Sequence, residues 1–236
     1  MRLIKLTRDG VTKNNIKWEI GKTISIDEKL RRPELCTDGV LHAYRSLEQA
    51  LAMKIKHLYD SDVGLKIYEV EGDIVAEKYD QVGCYELTPI RELSLPDWYL
   101  DTELRLKILT RFTCYCALEV IDIFEDRYPN DDGPRMAIEE ALKYGTDEFN
   151  ADTTYAAFIH VHNIIYTYIV RAVAASAYVA ALAARAAVNA VANGTRAVAN
   201  TVVTAAYTAN AVGDAVITDY HINVAELMQK AIRDFT

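Results

Sequence analysis

The chain has 236 residues, 34 acidic against 26 basic, giving a net charge of −8 at neutral pH. Its composition, 51% hydrophobic and 25% charged, is that of a globular protein rather than a disordered or fibrous one. The acidic balance speaks against a general nucleic-acid binder, which needs clustered Lys and Arg to meet a phosphate backbone.

The first half reads as strands around one helix. MRLIKLT alternates apolar and polar, RDGVTKNN is a turn cluster, and IKWEI and TISI alternate again. RRPELCTDG is loop-like and GVLHAYR is rich in strand formers. SLEQALAMKIKHLYD predicts a helix over 46–59. Ser46 stands at its cap, Gln49 three residues on completes a capping box, and Leu47, Leu51 and Ile55 form one apolar face. GLKIYEVEGDIVAEKY predicts a strand, a turn at Glu71-Gly72-Asp73 and a second strand, and GCYELTPIREL a last strand. One helix flanked by strands on both sides predicts an α+β unit with a mixed sheet over residues 1–97, ending near SLPDWYLD.

An acidic helical segment is expected over 98–150. TELRLKILTRFTCYCALEVIDIFEDRY predicts one amphipathic helix with Leu104, Ile108, Phe112, Tyr115 and Leu118 on one side. YPNDDGP ends it. Pro134 suits the first position of the next helix, with Asp132 or Gly133 at its cap and Gly145 at its end. Residues 101–152 carry 13 acidic and 6 basic side chains, most of the excess negative charge.

The third segment, 151–236, begins as an alanine-rich stretch. Residues 151–216 contain 22 alanines, and between Asp152 and Asp214 the formal charges are Arg171, Arg185 and Arg196 alone. Alanine has the highest helix propensity, so a helical array is expected. A helix with so few charges has no solvated face and must pack on other helices. The expected contact residues are Ala174, Ala177, Ala180, Ala181, Ala184 and Ala187. The 18 uncharged residues from Thr153 to Val170 approach the length of a membrane span, but His160, His162, Asn163 and three threonines there argue against one.

The chemical motifs are incomplete. His160 and His162, and likewise Cys114 and Cys116, lie two apart, which on a helix points them about 200° apart and prevents chelation of one ion. Tyr128 to Glu139 approximates a calcium loop but has Tyr128 where an aspartate is needed and Pro134 after the glycine. No phosphate-binding glycine loop or nucleophile elbow is present, and no metal or cofactor is expected. The opening MRLIKLTRDG has no apolar run of the kind found in a secretory leader, and Cys36, Cys84, Cys114 and Cys116 lack disulfide-framework spacing. A reducing compartment is the expectation.

Gly39-Val-Leu-His42-Ala-Tyr44-Arg45-Ser46, the helix it starts and the strand Leu65-Lys-Ile-Tyr-Glu-Val resemble the strand–helix–strand unit of ADP-ribosyltransferase-like folds. That resemblance implies a nicotinamide-dinucleotide cleft lined by His42, Tyr44 and Arg45, although the family's catalytic glutamate has no assignable counterpart. In its overall order, GVLHAYRSLEQAL, KIYEVEGDIV, VGCYELTPIREL, a Leu/Cys-rich helix and then Ala/Tyr-rich sequence, the chain resembles a group of phage and prophage proteins, some labelled immunity proteins. This implies an accessory protein in the cytoplasm of a bacterial host, acting on host machinery. Three functions follow as expectations. The first is a non-enzymatic interaction protein that oligomerises or docks a protein partner through its alanine-rich helices. The second is a nucleotide-ligand protein, either a sponge or a degraded ADP-ribosyltransferase-like enzyme, built on His42, Tyr44 and Arg45, where Arg pairs with phosphate and Tyr stacks a base. The third is a virion structural component.

Overall fold

A computed structural model describes residues 1–12, 15–35, 37–53, 63–78, 81–164 and 223–236. The chain divides into two compact units, Met1–Pro96 and Asp97–Thr236.

Among the described residues, the first unit has seven strands: β1 (Arg2–Arg8), β2 (Ile24–Ser25), β3 (Leu41–Tyr44), β4 (Leu65–Glu71), β5 (Ile74–Lys78), β6 (Gln81–Cys84) and β7 (Glu86–Leu93). Their order across the sheet is β2-β7-β4-β1-β3-β6-β5, and every pairing is antiparallel. Helix α1 (Leu47–Met53) packs against β1 and β3. The unit is therefore α+β, with an antiparallel rather than a mixed sheet.

The alternation in β1 sets the layers. Leu3 faces a core with Trp18, Leu41, Ala43, Tyr68, Val70, Val82, Cys84 and Leu87, and the half-buried Ile16, Ile24 and Ile26 of the segment after β1 close over it. Residues of the other parity, Leu6, Tyr44 and Ile67, are buried as well. Helix α1 contributes the fully buried Ala50 and Leu51.

The N–H of Gln49 donates to the Ser46 hydroxyl at 3.2 Å, so Ser46 caps α1. The return half of the capping box is not made among the described residues, because the Gln49 carboxamide is buried without a partner. The predicted helix beyond Met53 lies outside the described residues.

Three strand expectations need correction. IKWEI is not a strand: Lys17 makes a single bridge to Val11, and Trp18 turns its indole into the core. GCYELTPIREL forms two strands, broken at Tyr85. The Glu71-Gly72-Asp73 turn does not close a hairpin, since β4 pairs with β1 and β7 while β5 pairs with β6. The chain crosses instead, and Gly72 passes against β7. A Cβ there would sit 2.4 Å from the Glu86 carbonyl oxygen and 2.7 Å from Leu87 Cδ2. Gly72→Ala is thus expected to cost about 1–3 kcal/mol by overpacking, read as a lower urea midpoint with an unchanged slope.

The second unit is helical: α2 (Asp97–Leu100), α3 (Thr102–Leu118), α4 (Ile121–Glu125), α5 (Gly133–Leu142), α6 (Ala151–Ile164) and α7 (Val224–Arg233). The single helix expected from 102 to 128 is two, because Glu119 closes α3 and Val120, at φ −123°, leaves helical geometry. Helix α3 is buried around most of its circumference rather than along one stripe. Ile108 and Phe112 of the expected face are fully buried, whereas Leu104, Tyr115 and Leu118 are half-buried. The N-cap of α5 is Asp132, but the side chain that accepts a hydrogen bond there is Asp131, from the Gly133 N–H at 3.1 Å. Gly145, at φ +88°, ends that segment. Asn150 caps α6 by accepting from the Asp152 and Thr153 N–H groups at 2.9 and 3.1 Å.

Among the described residues, α6 packs chiefly on α5 and α7 on α3. The alanine-rich array expected over the following residues lies outside the described residues, as do Ala174, Ala177, Ala180, Ala181, Ala184 and Ala187. No described helix is long and apolar enough to cross a membrane.

Candidate functional site

Strand β3 places His42 and Tyr44 between β1 and β6, and Arg45 follows its last residue. Tyr44 is buried, opposite Ile4 on one side and Gln81 on the other. His42 is half-buried, paired across the strand with Gly83. Burial lowers the His42 pKa, the Lys5 ammonium lowers it further, and Asp38 opposes both. Arg45, just past the strand, is exposed, and its guanidinium meets the Glu77 carboxylate of β5 in a two-pronged pair at 2.6 and 2.7 Å. Such a fork-to-carboxylate pair uses the same planar donors a phosphate would take. The three residues are therefore close in the chain at and just past one strand, but the arginine is already engaged by the edge strand.

Lys5, which the sequence analysis did not single out, lies beneath this strand. Its ammonium donates to the His42 carbonyl at 2.6 Å and stands 5.0 Å from the centroid of the Trp18 ring. Two features place it there. Its parity in β1 is that of Leu3, and its neighbour across the sheet is Tyr68. Burial pushes the Lys5 pKa down to about 8, against an opposing pull from Cys84. The Cys84 thiol is pushed up to about 11, first by burial and then by Asp73. The signal was present in MRLIKLT, where Lys5 shares a face with Leu3 while Ile4 and Leu6 fill the other. Apolar residues of both parities mean both faces are covered, which makes a lysine on either face unusual.

The carbonyl and the indole face both favour the protonated amine, yet burial outweighs them. Lys5→Met is thus expected to raise stability at neutral pH by about 1–2 kcal/mol. The sign fixes the pH dependence. A lysine with a lowered folded pKa destabilises most below about 8, and the penalty fades by about 10.4, where the unfolded chain also loses the proton. Urea midpoints of the two proteins should therefore converge as the pH rises through that window.

Several other polar residues of the sheet also pair with one another. Glu69 accepts from Arg91 at 2.6 Å and lies 3.6 Å from Arg2. In the helical unit, Arg135 pairs with Glu125 and reaches Asp122 at 3.4 Å. Cys114 and Cys116 are fully buried, and the backbone carrying His160 and His162 is helical. Among the described residues no group of three or more His, Cys, Asp or Glu is placed to hold a metal ion. Compared with known protein families, curated proteins and solved structures, the chain matches none.

Proposed function

We propose that this chain is a non-enzymatic interaction protein, a phage-encoded accessory factor that assembles through its alanine-rich stretch and acts on a protein of a bacterial host. The observation that carries the reading is the placement of the helices that bracket that stretch. Helix α6 enters it from a seat on α5, and helix α7 leaves it onto a seat on α3, both within one helical unit. Residues 165–222 lie between these two seated helices in the sequence, and they carry Arg171, Arg185, Arg196, Asp214 and Asp219 as their only formal charges. A stretch so poor in charge has little to keep it solvated, and alanine permits backbones to approach to the short end of the usual separation of about 8–10 Å. The two-pronged Arg45–Glu77 pair favours this reading over a nucleotide site at His42, Tyr44 and Arg45, because an incoming phosphate has to displace a carboxylate.

Leucine substitutions test it. Ala180→Leu and Ala184→Leu are expected to overpack a close contact and cost about 1–3 kcal/mol each, with a loss of oligomeric mass. A water-facing helix tolerates the same changes within about 0.5 kcal/mol. Light scattering and thermal melts on leucine variants walked through residues 174–187 separate the two. Unchanged stability and mass at most positions defeats the assembly reading.

A further inference from the structure

The amine of Lys5 is held by a carbonyl and a ring, not by an opposite charge. On β1 it has the parity of Leu3, whose core includes Trp18, Ala43, Tyr68 and Cys84. Its ammonium donates to the His42 carbonyl at 2.6 Å and lies 5.0 Å from the Trp18 ring centroid. Among the described residues no carboxylate forms an ion pair with it. A buried lysine kept without a carboxylate is poorly suited to carrying charge and well suited to acting as a nucleophile. The residue is half-buried, so part of its surface stays open to solvent.

We propose that Lys5 is a covalent acyl-acceptor site, whose amine takes the acyl group of a short, uncharged thioester. The lone pair of the neutral amine attacks the thioester carbonyl carbon, a C–N bond forms and the C–S bond breaks. The thiolate leaves and takes up the proton that the nitrogen sheds, and nothing is oxidised or reduced. Burial supplies the neutral amine: with its pKa lowered to about 8, about half of Lys5 is unprotonated at pH 8, against under about 1% of an ordinary lysine. Cys84 does not compete, because it is fully buried and its thiol, pushed up to about 11, stays protonated at that pH.

The product fits the place better than the amine does. A secondary amide keeps one N–H to donate to the His42 carbonyl and removes the charge from the core. It gives up only the ammonium's contact with the Trp18 ring. The apolar and aromatic neighbours suit a short hydrocarbon acyl group and exclude a charged one. The site lies in the sheet unit and is independent of the assembly proposed for the alanine-rich stretch.

The test treats the full folded chain at pH 8 with S-acetyl-N-acetylcysteamine to a low extent of reaction, followed by peptide mapping that separates Lys5 from the Met1 amine. Lys5 should be acetylated at least about fivefold faster than the exposed Lys22 and Lys29, and the preference should vanish in urea, where all three are solvated. Labelling of Lys5 no faster than those two in the folded chain overturns the proposal. A second arm needs no reaction in the folded state. Lys5→Nε-acetyllysine, installed during synthesis, should melt above the unmodified chain at pH 7. Melting at or below the unmodified chain shows that the core rejects the amide and overturns the proposal as well.

Discussion

Raising the pH from about 9 to about 11 is expected to unfold the helical unit before the sheet unit. Cys114 and Cys116 are both fully buried in α3, and burial pushes the Cys114 thiol up to about 12 and that of Cys116 further. In the unfolded chain a thiol ionises near ~8.5. An acid whose folded pKa is raised stabilises the fold below the unfolded value, and that contribution is lost as the pH climbs toward the folded one. Each thiol removes about 1.4 kcal/mol per pH unit, so the pair costs roughly 5 kcal/mol over about two units. That is comparable with the whole stability of a small domain, about 5–15 kcal/mol. The sheet unit behaves differently. Cys84, pushed up to about 11, loses stability with rising pH, but Lys5, lowered to about 8, gains it over an overlapping window. The two tryptophans read the units separately, with Trp18 in the sheet core and Trp98 buried in α2. A Trp18→Phe chain should show a steep alkaline loss that Cys114→Ala with Cys116→Ala flattens, and a Trp98→Phe chain a shallow one. Equal slopes for the two reporters would contradict this assignment.

Phe112→Ala is expected to destabilise the helical unit by about 3–5 kcal/mol, the range for removing a buried aromatic ring. Phe112 is fully buried on α3, in a helix that also carries the fully buried Ile108 and Leu109 and packs against both α5 and α7. In a helix buried around most of its circumference, collapse around such a cavity is limited. Met136, 50% exposed on α5, is the control. Met136→Ala should change the urea midpoint of Trp98 fluorescence by no more than about 0.5 kcal/mol equivalent. A loss below about 1 kcal/mol for Phe112→Ala would sink the view that α3 is the core helix of this unit.

Alternation and caps made most of the local elements legible. β1, β3, β4 and α1 follow from period-two patterning and from Ser46, whose hydroxyl accepts at the expected place. What pattern does not encode is pairing. Nothing in KIYEVEGDIV says that β4 and β5 pair with different strands rather than in one hairpin, because that choice depends on contacts distant in sequence, such as the close approach of Gly72 to β7. The segment IKWEI carries strand-forming residues, but tertiary burial of Trp18 decides its course. The same limit applies to the candidate site. His42, Tyr44 and Arg45 stood out by residue type, yet the partner that occupies Arg45 is Glu77, on another strand. Lys5 could have been noticed from its parity, but its hydrogen bond to the His42 carbonyl depends on β1 and β3 being neighbours, which only the sheet order reveals.

The assembly claim is tested most directly by a native mass spectrum of the full chain. The account predicts a defined multiple of the 26.5 kDa chain mass, with no additional small-molecule mass on each subunit. A species at the monomer mass, or one carrying a stoichiometric nucleotide that His42→Ala with Arg45→Ala removes, would contradict it.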